Sequence, residues 1–177
     1  MTKILFLTAA ILLTQNCKGI LCRDNVLTIA RIENNSNKLR MDGYYYGDLV
    51  PTNSERPDIY LIYRNGIFSN AYSFNLSDAE TGNVSLVYSD LQYEHKAAWG
   101  VYIINGSNIE IEYWSPRPCG AVGLLYEKGV ILNDTTFKIN YWKSSYNGNI
   151  ENEGSPEAIF KFQEYSPKPD SIIKFIP

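Results

Sequence analysis

The chain has 177 residues, long enough for one domain with a sizeable core. Its formal charge is -3, and no run of Lys or Arg breaks the acidic balance, which argues against nucleic acid as the partner. Aromatic residues make up 14%, with 14 tyrosines among them, a composition suited to strands and half-wet surfaces.

Residues 1–16 read as a signal peptide. Lys3 is a minimal basic start, and Ile4 to Leu13 is an apolar run too short to span a bilayer. Cys17 follows directly, as in a bacterial lipoprotein, where it would be lipidated and become the new N-terminus. Thr14, Gln15 and Asn16 stand where that pattern carries Leu and small residues, so ordinary cleavage and an uncleaved anchor remain open. Loss of Lys3 takes the formal charge from -3 to -4. Residues 17–38 read as a lipidated segment and linker, with Val26 to Ile32 either a short helix or extended.

The barrel domain is expected over 39–165. Leu39 to Leu49 is its first strand, with Leu39, Met41 and Tyr45 on one face and a bend at Gly43. Asp58 to Phe74 is a hairpin around Asn65-Gly66. Pairing Arg64 with Ile67 puts Ile59, Leu61, Tyr63, Phe68 and Tyr72 together, opposite Tyr60, Ile62 and Ile67. Both faces carry aromatics, so both should be partly covered. A short helical insertion is expected near residues 84–97, from the spacing of Leu86, Val87 and Leu91.

Trp99 to Trp114 is the clearest hairpin. Its turn is Asn105-Gly106 or the four residues Asn105 to Asn108, and an even loop puts Tyr102, Ile104, Ile109, Ile111 and Tyr113 on one face. Glu110 and Glu112 point the other way. Ala121 to Glu127 reads as a strand, Lys128-Gly129 as a turn, and Val130 to Trp142 as a strand irregular at Asn133-Asp134. In it Phe137, Ile139 and Tyr141 oppose Lys138, Asn140 and Trp142. Ser144 to Pro156 reads as a loop and Ala158 to Tyr165 as the last strand, with Phe160 and Phe162 inward. Residues 166–177 form an extended tail. About eight strands joined by tight turns predict an all-β protein, an antiparallel up-and-down barrel in preference to a sandwich. Such a barrel holds side chains or one small ligand.

Four pieces, KLRMDGYYYGDL, KAAWGVYIINGSNIEIEYW, KGVILNDTTFKI and FKFQEYSPKPDS, together resemble uncharacterised lipocalin-like lipoproteins of Bacteroidota-type bacteria, over roughly residues 39–171. The resemblance implies a small β-barrel exported with a lipid anchor. It implies no catalytic residues.

No catalytic motif stands out. His95 is the single histidine, so neither a metal site nor a catalytic triad is expected, and it reads as a solvated helix residue. Glu110 and Glu112 lie about 7 Å apart on one strand, a spacing that permits glycosidase carboxylates but is common, and the pair reads as an outward, solvated face. Cys22 and Cys119 could bridge in an exported protein, or stay as two thiols. The N-x-S/T sites at Asn34, Asn75, Asn83, Asn105 and Asn133 are incidental in a bacterial reading.

The sequence therefore points to a non-enzymatic exported lipoprotein with no cofactor or metal, held in the cell envelope by its N-terminal lipid. Tyr102, Ile104, Ile109, Ile111 and Tyr113 read first as core, and otherwise as the lining of a pocket for a small apolar ligand. The alternative is an interaction protein with a side-chain-filled barrel, meeting a protein or glycan partner through exposed Trp99, Trp114 and Trp142. A carbohydrate-active enzyme is a third possibility and needs Glu110 and Glu112 facing an exposed cleft.

Overall fold

The computed structural model describes residues 23–49, 57–72, 76–82 and 95–177. Among them are nine strands: β1 (Gly43–Gly47), β2 (Asp58–Ile62), β3 (Ile67–Tyr72), β4 (Trp99–Asn105), β5 (Asn108–Pro116), β6 (Val122–Asn133), β7 (Thr136–Tyr146), β8 (Asn149–Gly154) and β9 (Ala158–Glu164). One short helix, α1 (Leu76–Thr81), and a 3-10 turn at Pro118–Gly120 complete the described elements. Each strand from β1 to β7 pairs antiparallel with the next. β9 joins β7 to β1 and closes an eight-stranded, lipocalin-like antiparallel barrel. β8 is an added ninth strand. It pairs with the second half of β7, whose first half pairs with β9.

The expected barrel is the one observed, and the central hairpin keeps its expected faces. Asn105 pairs with Asn108, Ile104 with Ile109 and Tyr102 with Ile111, so the loop is two residues long. Its centre is Gly106-Ser107 rather than Asn105-Gly106, because Asn105 is still paired with Asn108, and Gly106 sits at φ 61°. A positive φ at the first central position matches the twist of the flanking strands.

Other details differ from expectation, each for a local reason. Ile62 pairs with Phe68, not Arg64 with Ile67. The loop is Arg64-Asn65-Gly66, with the Tyr63 N–H on the Ile67 carbonyl at 3.0 Å and Gly66 left-handed at φ 82°. This odd loop moves Phe68 to the face of Tyr60 and Ile62, and Ile67 to that of Ile59 and Leu61. β6 runs straight through Lys128-Gly129, where a turn was expected. A Cβ at Gly129 would strike the Lys138 carbonyl, so this glycine serves close strand approach. The chain turns instead at Asp134-Thr135, where Asn133 Oδ1 accepts from the Thr135 N–H at 2.9 Å. The register with β6 shifts by one residue at Asn140, which turns Trp142 toward the interior and Tyr141 outward. The expected 144–156 loop contains the end of β7, a tight turn at Asn147-Gly148 with both residues at positive φ (50° and 79°), and β8. Gly43 begins β1, where a Cβ would run into β9 at Gln163 and Glu164.

Residues 84–94 of the expected helical insertion lie outside the described residues. His95 and Lys96 are not helical, and Ala97-Ala98 is a turn. α1 lies just before, where Leu76 to Asn83 read as merely polar; the Tyr44 hydroxyl donates to the Ala79 carbonyl at 2.7 Å and ties it to β1.

Two apolar layers hold the structure. The interior contains Tyr45, Tyr60, Ile62, Phe68, Tyr102, Ile109, Ile111, Tyr113, Phe137, Ile139 and Phe160. The rings interlock: Phe137 and Phe160 stack at 5.2 Å, and Tyr60 lies 4.3 Å from Phe160. The second layer lies outside the barrel on Tyr44, Ile59, Leu61, Ile67, Trp99, Val101 and Trp114. An extended strap (residues 23–38), α1 and the tail from Tyr165 cover it through Leu27, Ile29, Ala79, Ile173, Phe175 and Ile176. Covering on both faces thus holds for the β2–β3 hairpin. The C-terminal tail is part of the fold rather than an appendage.

Candidate functional site

Strand direction gives the barrel two ends. The upper end carries the β5–β6 and β7–β8 connections. The lower end carries the β2–β3, β4–β5 and β6–β7 turns, the entry into β1 and the exit from β9.

Within the barrel, β6 alternation puts Leu125, Glu127 and Ile131 on the core face. Glu127 is fully buried. Its carboxyl accepts from the Tyr60 hydroxyl at 2.8 and 2.9 Å and from the Tyr113 hydroxyl at 2.8 Å. Burial pushes it up to about 8, against the lowering effect of the two phenols. The same burial, with Glu127 alongside, raises both phenols well above their ordinary value. Asn70 Nδ2 reaches the Tyr113 hydroxyl at 3.4 Å, while its Oδ1 is buried with no described hydrogen bond. Burial also raises Asp58. Glu127 is the hub of a buried polar group that includes Tyr60, Tyr113 and Asn70, and it was not singled out from the sequence.

The lower end holds a cleft of about 550 Å³. Leu39 and Met41 supply apolar lining, and Arg40, Asp42, Arg64, Asp134 and Lys168 supply charge. Lys168 comes from the C-terminal tail. Its ammonium donates to the carbonyls of Met41 (2.8 Å) and Ile62 (2.6 Å) and lies 4.4 Å from the centre of the Tyr63 ring. Burial lowers it to about 8. Arg40 is held by Asp42 and by Glu164 at 3.3 Å, and packs over Phe162. The five described ion pairs use neither Arg64 nor Asp134.

The five residues read as core or pocket lining all point into the barrel. Tyr102, Ile109, Ile111 and Tyr113 are buried and Ile104 is half-buried, each against other side chains rather than the cleft. The Tyr102 hydroxyl donates to the Tyr63 carbonyl at 2.8 Å. Cys17 and Cys22 and the side chain of Cys119 lie outside the described residues, and so do the signal segment and any bridge. His95 is exposed.

The glutamate pair is not a solvated face. Glu112 is 3% exposed and accepts from the Thr28 and Ile29 N–H groups and the Thr28 hydroxyl, while Glu110 is half-buried and accepts from the Tyr126 hydroxyl at 2.7 Å. The strap therefore occupies the space in front of Glu112. Trp99 and Trp114 are buried, not exposed; strap and sheet cover them, and Trp114 Nε1 donates to the Asn25 carbonyl at 2.9 Å. Trp142 packs on the interior cluster. Among the described residues no group of His, Cys, Asp and Glu is arranged to hold a metal, and no helix is long and apolar enough to cross a membrane.

Compared with protein-family models, curated proteins and solved structures, the chain matches none.

Proposed function

We propose that this chain is a non-enzymatic, exported envelope lipoprotein, anchored through Cys17, whose side-chain-filled barrel is a rigid scaffold for contact with a partner. The observation that carries the reading is the interior itself. Tyr45, Tyr60, Phe68, Tyr102, Phe137 and Phe160 are each under 2% exposed, and Tyr60, Phe137 and Phe160 stack on one another, where a small apolar ligand would have to lie. A binding barrel for an apolar ligand needs a pocket of roughly 300 Å³ or more. The cleft at the lower mouth, with its charged rim, is lined by none of these rings. The resemblance to lipocalin-like lipoproteins and the cysteine directly after the apolar leader support export and anchoring.

Two measurements test this. Intact mass of the protein from its own membranes should carry a lipid at Cys17, and Cys17→Ala should move the protein to the soluble fraction; unchanged fractionation would remove the anchor from the account. Titration with anilinonaphthalene sulfonate should give no saturable fluorescence gain. A stoichiometric, competable gain would favour the small-ligand reading.

A further inference from the structure

A column of polar groups runs up the inside of the barrel from Glu127 to the upper end. The strands β2 and β6 are separated by β3, β4 and β5 one way round the closed barrel and by β1, β9 and β7 the other. They therefore face each other from opposite walls. The Tyr60 hydroxyl on β2 donates across the interior to both oxygens of Glu127 on β6. Tyr113 on β5 donates to the same carboxyl, and Asn70 Nδ2 on β3 meets the Tyr113 hydroxyl at a long 3.4 Å. Asn70 stands opposite Tyr60 in the β2–β3 register. Asp58 precedes Tyr60 by two residues and so shares its face, at the upper start of β2. Its Oδ2 accepts from the Leu49 N–H at 3.3 Å, and a hydrogen bond from Asn70 favours its carboxylate against the effect of burial.

The column carries two carboxyls and no base. Among the described residues the buried interior holds no Lys, Arg or His, and the five described ion pairs use neither Glu127 nor Asp58. On the other strands, Trp142, Phe137, Ile139 and Phe160 carry no charge, and the phenols of Tyr45 and Tyr102 donate to backbone carbonyls. Counting hydrogens then gives two arrangements. With Glu127 ionised, both phenols donate to it and Asn70 Nδ2 faces the Tyr113 oxygen. Asn70 Oδ1 is left over, and it is buried with no described hydrogen bond. With Glu127 neutral, its own O–H must donate to one of the two phenol oxygens. The phenol that accepts has to send its proton elsewhere. Tyr60 has no other described acceptor, whereas Tyr113 has Asn70 beside it. Asn70 can accept only through Oδ1, and half a turn of the amide exchanges Oδ1 and Nδ2 at nearly the same places. Burial holds the proton on Glu127 up to about 8, so ordinary pH reaches both arrangements.

We propose that Asn70 is the moving part of a proton switch inside the barrel. Its amide presents Oδ1 to Tyr113 while Glu127 is neutral and Nδ2 once Glu127 has lost its proton, and so carries the charge state of the barrel centre to Asp58 at the upper end. The switch is independent of the anchor and of any partner. Carboxyl and side-chain amide NMR of the isotope-labelled protein, from about pH 5 to about pH 10, tests it. The Asn70 Nδ2 protons should give cross-peaks to the Tyr113 ring above the Glu127 midpoint and lose them below it. The Asp58 carboxyl signal should move at the same midpoint. Glu127→Gln, whose amide donates as the neutral acid does, should hold Asn70 in the low-pH arrangement at every pH. Tyr113→Phe keeps the ring and removes the relay; there Glu127 should still titrate while the Asn70 cross-peaks become independent of pH. This second variant carries the test if Glu127→Gln does not fold. Asn70 cross-peaks that are the same on both sides of the midpoint would overturn the switch. So would a pH-dependent turn that survives Tyr113→Phe, or a Glu127 carboxyl that keeps one charge state throughout. An Asp58 signal indifferent to the Glu127 midpoint would overturn the transmission to the upper end.

Discussion

Glu112 binds Thr28 across 84 positions of sequence: its carboxylate accepts from both the backbone N–H and the hydroxyl of Thr28, the latter at 2.7 Å. A buried carboxylate on an outer barrel face has thus become the fastening of the N-terminal strap. Replacing Glu112 by Ala leaves the Thr28 and Ile29 N–H groups without this acceptor and should cost about 3 kcal/mol, the scale of lost hydrogen bonds to a charged group. Amide exchange at Thr28 and Ile29 should accelerate far more than at Tyr102 or Ile111. Equal acceleration everywhere would mean that the strap is not a separable element.

Gly66 is the lower fastening of the same strap. It sits at φ 82°, and a Cβ there would run into the carbonyl of Ile32. Gly66→Ala should therefore cost at least about 1 kcal/mol from the left-handed backbone alone. Because it also displaces Ile32, proteolysis between Arg31 and Lys38 should become faster, while the β4–β5 hairpin keeps its exchange protection.

Glu127 gives the barrel a pH signature. Its folded value of about 8 lies above the ordinary carboxyl range, so the folded state holds this proton more tightly than the unfolded chain. Stability from this group is complete below the unfolded value, about 4.3, and is lost as pH rises through about 8. Denaturant midpoints of the native protein, taken relative to Glu127→Gln, should fall between pH 5 and 8 and level off above. Parallel curves for the two proteins would show that Glu127 is not the buried, raised carboxyl described.

Phe160 tests the packed interior. It is fully buried, with Tyr60 and Phe137 stacked on it. Phe160→Ala should cost about 3–5 kcal/mol. It should also create an apolar void, visible as a new saturable site for a small aromatic hydrocarbon. The same site in the unaltered protein would mean that the interior was never full.

Alternation and turn chemistry made the barrel legible. The two-residue loop at Gly106 fixed the faces of Tyr102, Ile104, Ile109 and Ile111, and those faces hold. Legibility failed where one residue changes parity. The Arg64-Asn65-Gly66 loop is odd, and the register shift at Asn140 exchanges Tyr141 with Trp142; neither leaves a mark in a pattern of apolar residues. β8 was hidden because its residues, NIENEG, are mostly polar. The Asn147-Gly148 pair before it carries the same turn signal used elsewhere.

Among the site residues, Glu127 could have been found. Reading Lys128-Gly129 as a turn placed it at a wet strand end. Continuing the alternation through Leu125, Glu127 and Ile131 places it inside. The burial of Glu112, Trp99 and Trp114 was not accessible to the same reasoning. The strap, a segment without strand or helix periodicity, packs in the same outer layer and meets Glu112 and Trp114 from more than 80 positions away.

Native mass spectrometry of the folded domain beginning after Cys17, purified from cells closely related to its source, tests the filled barrel most directly. The account predicts the bare polypeptide mass, unchanged after exposure to a lipid and metabolite extract. A reproducible added mass that leaves on denaturation would contradict it, and would make this barrel a carrier.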